Sequence, residues 1–519
     1  MRPWPVDIKA TALSECRGLS MFSKILIANR GEIAVRVMRT AKEMGIRTVA
    51  VYSDADRESL HVFTADESVF LGESDPAASY LNIDKIIGAA LQTGAEAVHP
   101  GYGFLAENPV FADRVTSEGL VFIGPSAKVM AALGNKTTAR RTMAQSGVPI
   151  IPGMVDTEVD LVRLNQLAEA MGYPVLLKAA AGGGGKGMRI VDSPAALAEA
   201  AQAAAGEALT AFGDSSIYLE KYLDRPRHVE FQILGDSYGN LVHLFERECS
   251  IQRRHQKIIE ETPSTALDSE LRDRMGAAAI AVARAAGYVN AGTVEFLLDR
   301  NGKFYFLEVN TRLQVEHPVT EMITGLDLVR RQVEIAGGLP LPFSQGDLSR
   351  RGHSIECRIY AEDPEADFMP APGRILFARS PEGPGVRFDH GIYTGFDVPV
   401  HYDPILGKLV VWAEDRSGAI ARMIRALKEC VILGVKTQIE FLLDVLSSDV
   451  FKAGETHTCF IDDHFAQWQP HSTGDESAVL GYVACEMTGQ RTVPSPGDVS
   501  AMVDWTSPWH TLGAWDLAR

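Results

Sequence analysis

The sequence predicts a multidomain protein of mixed α/β and α+β class. It combines a doubly wound first domain, a small α+β lid and a larger α+β region. Three observations predict this. The apolar run Ile25–Ala28 turns at Asn29-Arg30-Gly31 into a helical pattern, and a second apolar run, Ile46–Tyr52, follows; that order is a βαβ unit and implies a parallel sheet. A glycine-rich loop, residues 182–187, lies between two short strand patterns. From about residue 224 the pattern changes to hairpins and longer strands mixed with helices.

Taken in order, residues 1–20 carry charges and Trp4-Pro5 and no apolar h-region, so they read as a flexible extension and not as a secretory signal. Met21 stands directly before the first strand pattern, so a start there fits as well. The doubly wound domain is expected over 21–124, with further strands at Ala97-Val98 and Val121–Ile123. A helical linker and the lid fill 125–223. The lid holds strands at Pro174–Lys178, Met188–Val191 and Ile217–Leu223 and an alanine-rich helix at Pro194–Leu209. The α+β region runs over 224–465, and 466–519 is a polar tail with a late aromatic stretch.

Bulk properties exclude several classes. A formal net charge of -17 without basic runs argues against a nucleic-acid binder. The six cysteines are scattered and form no CxxC pair, so reduced thiols in a cytoplasmic protein are expected. No run approaches the roughly 20 apolar residues of a membrane span.

The most informative segment is Thr293–Asn310. Asn301-Gly302 between two apolar strands is a strong hairpin signal, and a two-residue loop there sets Glu295 opposite Glu308. Like charges facing each other across a ladder destabilise it, so the pair needs a proton or a cation. A hard divalent cation fits carboxylate oxygens. If the chain stays extended, Glu308, Asn310, Arg312 and Gln314 share one face, and Leu307, Val309, Leu313 and Val315 take the core face. The alternative is a solvated outer face, which more often carries Lys, Thr and Ser. The backbone amides of Gly182–Gly187 can approach phosphates closely, although a plain glycine linker explains the loop equally well. Lys178 ends the strand before it, and Lys136 opens a helix ahead of the lid. Together these cations can serve a polyphosphate.

Lys178 with the glycine loop, Tyr218–Leu223 and Glu295/Glu308/Asn310 resemble an ATP-grasp enzyme. Within that superfamily the chain closely resembles biotin carboxylase. The matching stretches are Ile27–Ala34, His99–Leu105, Arg227–Glu230, Gln252–Lys257, Glu308–Thr320 and Glu356–Ile359, and the likeness covers roughly 21–465. It implies an ATP-grasp fold with a Rossmann-like N-terminal domain over 21–124, a body with the metal site over 224–345 and a biotin carboxylase C-terminal domain over 346–465.

The resemblance also implies roles. Lys136, Lys178, His228 and the loop Gly182, Gly183, Gly184, Gly185, Lys186 and Gly187 would hold ATP phosphates. Glu220, Lys221 and Leu223 would frame the adenine, with Gln252 and His255 near the nucleotide. Glu295, Glu308 and Asn310 would bind Mg²⁺ (or Mn²⁺). Lys257, Arg312, Gln314 and Val315 would bind bicarbonate, and Glu316 would deprotonate it. Arg358 would stabilise the developing negative oxygen of biotin, and Tyr102 would frame the biotin pocket. The implied reaction activates bicarbonate with ATP as carboxyphosphate and carboxylates biotin on a partner. No Ala-Met-Lys-Met site occurs, so the implied partners are a separate biotin carboxyl carrier protein and carboxyltransferase subunits, with a homodimer as the assembly. The ending Trp505–His510 resembles the linker after this module in larger acyl-CoA carboxylase α-subunits. A pyruvate carboxylase subunit and a different ATP-grasp ligase are the alternatives within enzymes. A non-catalytic scaffold would be expected to lose Glu308, Asn310, Arg312 or Glu316, and all four are present.

Overall fold

The computed structural model describes residues 21–134, 136–154, 160–179, 188–254 and 256–471. The glycine loop with Lys186, and His255, lie outside the described residues, as does the side chain of Lys136. The extension 1–20 and nearly all of the tail lie outside them too.

The first domain is a parallel sheet of β1 (Lys24–Ile27), β2 (Arg47–Ser53), β3 (Glu67–Gly72), β4 (Ala97–His99) and β5 (Val121–Phe122), in the order β3-β2-β1-β4-β5. Crossover helices include α1 (Gly31–Glu43), α2 (Ile83–Thr93) and α3 (Pro109–Ser117). Ile25 and Ile27 enter one core while Leu26 and Ala28 enter another. A strand buried on both faces reads as an unbroken apolar run, which is why β1 is plain in the sequence. Strand β3 is absent from the sequence reading. It lies at the sheet edge, half exposed, with a weaker apolar pattern.

The lid is a three-stranded antiparallel sheet of β6 (Val175–Ala179), β7 (Arg189–Val191) and β8 (Ile217–Lys221), in the order β7-β6-β8. Linker helix α4 (Lys136–Gln145) precedes it. Helix α5 (Pro194–Phe212) packs Leu197, Ala201 and Ala204 on Val175, Leu177 and Leu219.

Eight antiparallel strands form the large sheet. They are β9 (Arg227–Gly235), β10 (Leu241–Arg253), β11 (Gln256–Thr262), β12 (Asn290–Leu298), β13 (Phe304–Asn310), β14 (His353–Tyr360), β15 (Val386–His390) and β16 (Ile405–Ala413). The order is β13-β12-β9-β10-β11-β14-β16-β15, so one continuous sheet joins strands from both sides of residue 345. Helices α6 (Ser269–Ala286) and α7 (His317–Thr324) pack on it. None of the described helices is long and apolar enough to cross a membrane.

The hairpin β12–β13 corrects one expectation while keeping its consequence. The loop is not the two residues Asn301-Gly302. The Asp299 amide donates to the Lys303 carbonyl at 2.8 Å, leaving Arg300, Asn301 and Gly302 in the turn, where only Gly302 (φ 73) has positive φ. That pairs Leu298 with Phe304 and Phe296 with Phe306. A bulge at Leu307 then restores Glu295 opposite Glu308. Leu307 is therefore half-buried instead of lying on the core face. The extended chain also stops at Asn310. Beyond it, Leu313 is buried in the core beneath the first domain, whereas Val315 is only half-buried.

Candidate active site

Strand alternation builds the floor of the site. In β9, Val229, Phe231 and Ile233 enter the core while His228, Glu230 and Gln232 face the other way. Ladder register places Arg247, Glu230, Glu295 and Glu308 side by side across β10, β9, β12 and β13. Three adjacent carboxylates are costly unless cations answer them. Arg247 is fully buried; its Nε donates to Glu230 Oε1 at 2.5 Å, and its Nη atoms donate to Gln232, Thr293 and Thr320 at 2.8–3.0 Å. Lys257, on β11, gives its ammonium to three acids: Glu230 Oε2 at 2.6 Å, Glu316 Oε1 at 2.7 Å and Glu295 Oε1 at 2.8 Å. Burial alone would disfavour that ammonium. The carboxylates of Glu230, Glu295 and Glu316 reverse this and hold it charged well above the usual lysine range.

Glu316 occupies the N-cap position of α7, with Pro318 at the second helical position. It is fully buried, with Oε1 on Lys257 and Oε2 on Arg358 Nη2 at 3.0 Å. Burial works against its ionisation, but the charges of Lys257, Arg358 and Arg247 overcome this and hold its carboxyl well below the usual range. The Nε of Arg358 donates to Glu260 at 2.6 Å.

The polar face beyond β13 survives the loss of extended structure through side-chain bonds. Asn310 Nδ2 and Gln314 Nε2 both donate to Glu295 Oε1, at 2.8 and 3.1 Å. Arg312 donates to Gln314 Oε1 at 2.7 Å, to Asn310 Oδ1 at 3.1 Å and to Glu107 Oε2 at 2.9 Å. His228 Nε2 lies 3.1 Å from Glu295 Oε2, and Gln252 Nε2 lies 2.8 Å from His228 Nδ1.

Three successive family models match the chain. "Biotin carboxylase, N-terminal domain" covers residues 21–130, "Carbamoyl-phosphate synthase L chain, ATP binding domain" covers 135–344, and "Biotin carboxylase C-terminal domain" covers 356–463. The chain belongs to the biotin carboxylase family. It is accordingly an ATP-dependent carboxylase, a ligase. The biotin carboxylase of a Nostoc species is 54% identical over 445 residues, 85% of this chain and 99% of that one. The methylcrotonoyl-CoA carboxylase α-subunit of Dictyostelium discoideum is 48% identical over 503 residues, 95% of this chain and 70% of that one. The biotin carboxylase domain dimer of Hydrogenobacter thermophilus 2-oxoglutarate carboxylase, solved with MgADP, ADP and bicarbonate, has a TM-score of 0.83 at 46% identity. That likeness covers 86% of this chain and 98% of that one.

In this member of the biotin carboxylase family the other expected residues lie on the lid and in the loop after β4. Lys178 and Glu220 meet on the lid, with Lys178 Nζ 2.6 Å from Glu220 Oε2. Lys221 Nζ donates to the Gly172 carbonyl at 2.8 Å, and Leu223 follows β8 half-buried. Tyr102 stands in the loop after β4, where its carbonyl accepts from Asn29 at 2.7 Å and its ring lies 5.6 Å from the Lys408 ammonium. Sequence reasoning missed Glu107, Arg140, Glu230, Arg247 and Glu260. The alternation His228, Glu230, Gln232 was a readable signal for Glu230. Nothing local marks the others, whose partners are remote in sequence.

Glu260 and Glu356 face each other directly across β11 and β14, and among the described residues neither Glu356 oxygen meets a donor. Burial, then the Glu260 charge, push the Glu356 carboxyl well above the usual range. Burial pushes Glu260 up to about 7 from 4.5, against the pull of Arg358. Folded-state values above the unfolded one mean that this pair's contribution to stability is full below about pH 4.5 and is lost as pH rises through about 7. Glu356→Gln fixes the neutral form. It is expected to leave the thermal midpoint at pH 5 nearly unchanged and to remove part of the fall between pH 5 and 8.5. A midpoint at pH 8.5 below that of the parent protein would show that Glu356 works as a paired anion.

Proposed function

We propose that the chain performs the first half-reaction of an acyl-CoA carboxylase: MgATP-dependent carboxylation of biotin on a separate carrier protein, with bicarbonate passing through carboxyphosphate. The observation that carries this reading is Glu316 gripped between Lys257 and Arg358, with Glu295, Asn310, Arg312 and Gln314 bonded together beside it.

Glu295 and Glu308 present hard oxygen donors side by side, which fits Mg²⁺ or Mn²⁺, and Asn310 adjoins them. When bound there, the cation supplies charge neutralisation for the ATP phosphates. Lys136, Lys178, His228 and the glycine loop attract the polyphosphate, and Glu220, Lys221 and Leu223 lie where the adenine is framed. Bicarbonate takes hydrogen bonds from Arg312, Gln314 and Lys257 next to the Val315 backbone. As Lys257 turns part of its charge to bicarbonate, Glu316 loses a stabilising partner and becomes a better base. Its carboxylate accepts the bicarbonate proton, and the freed oxygen attacks the γ-phosphorus as ADP leaves. Arg358 then faces the ureido oxygen of biotin as negative charge develops there, beside Tyr102.

The acyl-CoA reading is favoured by the Dictyostelium α-subunit, whose likeness extends over 95% of this chain. A 2-oxoacid acceptor such as pyruvate is the second reading, favoured by the 2-oxoglutarate carboxylase neighbour. We also propose a homodimer, favoured by that neighbour's dimer, and a cytoplasmic location. In the test, purified protein with MgATP and bicarbonate releases phosphate slowly, and free biotin speeds the release several-fold. Phosphate release indifferent to biotin would sink the reading. Reconstitution with the carrier and transferase that co-purify, offered acetyl-CoA, propionyl-CoA or pyruvate, separates the two acceptors.

A further inference from the structure

We propose that Arg140 is a positioning residue of the nucleotide site: it neutralises Glu220, so that the Lys178 ammonium is left to the phosphates of ATP. The proposal deepens the reading above and rests on Lys178 as a phosphate-binding lysine.

Arg140 and Glu220 are 3% and 2% exposed, among the most buried charged residues near the lid. Arg140 Nη1 is hydrogen-bonded to Glu220 Oε1, and Nη2 donates to the Ile151 carbonyl at 2.9 Å. The other oxygen of Glu220 lies 2.6 Å from Lys178 Nζ. One carboxylate is thus shared by two cations from different elements: Arg140 on linker helix α4, and Lys178 at the end of lid strand β6. Helix α4 packs on β13, the strand that bears Glu308.

The charge count gives the arrangement its use. Lys178 and Glu220 alone would form a closed, neutral pair that offers little to a polyphosphate. With Arg140 the cluster carries one net positive charge. The guanidinium is a rigid planar fork already anchored on a carbonyl, whereas the lysine is a flexible point charge that can swing to a new partner. A polyphosphate entering beside β6 therefore draws off Lys178 and leaves Glu220 still paired with Arg140, so no buried anion is stranded. The backbone enforces the contact. Gly153 bridges to Glu220, and a Cβ on Gly153 would lie 2.5 Å from the Leu219 carbonyl oxygen, so only glycine lets the 150–154 segment lie against β8.

The test measures MgATP affinity and the KM for ATP in Arg140→Met, Arg140→Lys, Lys178→Met and the double variant Arg140→Met/Glu220→Gln. Arg140→Met is expected to weaken MgATP binding about ten-fold, the size of one charge-assisted hydrogen bond, with the KM for bicarbonate unchanged. Arg140→Lys should recover part of this. Adding Glu220→Gln should recover part of it, because the anion that holds Lys178 is gone, the remainder being the adenine contact that Glu220 itself supplies. A merely structural Arg140 would give a loss that Glu220→Gln deepens, together with a lowered thermal midpoint; that result, or an unchanged KM for ATP in both single Arg140 variants, overturns the proposal. If Lys178→Met binds MgATP normally, the phosphate reading of Lys178 falls and the proposal with it. If Lys178→Met binds poorly while both Arg140 variants bind well, the role of Arg140 alone is refuted.

Discussion

Glu316→Gln is expected to lower biotin-dependent ATP turnover by about 10²–10⁴-fold while MgATP binding stays within about two-fold of the parent protein. The substitution keeps the shape of the side chain and one acceptor oxygen, so the cradle formed by Lys257 at 2.7 Å and Arg358 at 3.0 Å still has a partner. What it removes is the only feature the proposed step needs from this residue, a carboxylate able to take a proton. The residues proposed to hold the nucleotide are untouched. In the free protein the Lys257, Arg358 and Arg247 charges hold the Glu316 carboxyl well below the usual range against its burial, so it is already ionised throughout the neutral region. The acidic limb of kcat/KM should therefore not contain a group near 4.5 that disappears in the Gln variant. Steady-state phosphate release with and without biotin, beside MgATP binding by calorimetry, decides the matter. Full turnover in the variant would remove Glu316 from the proton step.

What was legible in the sequence follows from how far apart the interacting residues lie. Strand β1 announced itself because both of its faces are buried. The opposition of Glu295 and Glu308 was legible too, although by two departures that cancel: a turn one residue longer than Asn301-Gly302, and a bulge at Leu307 that restores the register. A local pattern cannot show that compensation, since a bulge is settled by what packs on either side of it. The polar face was traced through Arg312 and Gln314 on the premise of an extended chain. The structure keeps Gln314 on Glu295, and Arg312 on Gln314, by hydrogen bonds after the strand has ended. Lys257, Glu316 and Arg358 were found by resemblance, because no periodicity joins residues on β11, at the start of α7 and on β14. Arg247 and Glu260 went unseen for the same reason: in sequence they are ordinary charged residues within strand patterns, and only the assembled sheet makes them partners of Glu230 and Arg358.

Lys257→Met is expected to do the greatest damage to the fold of the site. Lys257 is the shared counter-ion of Glu230, Glu295 and Glu316, at 2.6, 2.8 and 2.7 Å, and its side chain is only 12% exposed. Methionine fills similar space without charge, so the loss is electrostatic and not a cavity. Arg247 still answers Glu230 and Arg358 still answers Glu316, yet three buried acids then share two cations that are already engaged elsewhere. Breaking a buried ion pair by removing one partner typically costs about 3–5 kcal/mol, because the remaining charge is left unpaired. A fall of roughly 5 °C or more in the thermal midpoint is the corresponding readout. Lys257→Arg should rescue little. The three acceptors converge on one compact ammonium from β9, β12 and α7, a geometry that a planar guanidinium cannot match. Turnover with biotin should fall with either substitution, since the same ammonium is the proposed partner of bicarbonate. The two effects separate by ligand: millimolar Mg²⁺ should raise the midpoint of Lys257→Met more than that of the parent protein, because a divalent cation at Glu295 and Glu308 replaces part of the missing charge. An unchanged midpoint in Lys257→Met would mean that the three carboxylates are satisfied without it, and that the charge balance described for the site is wrong.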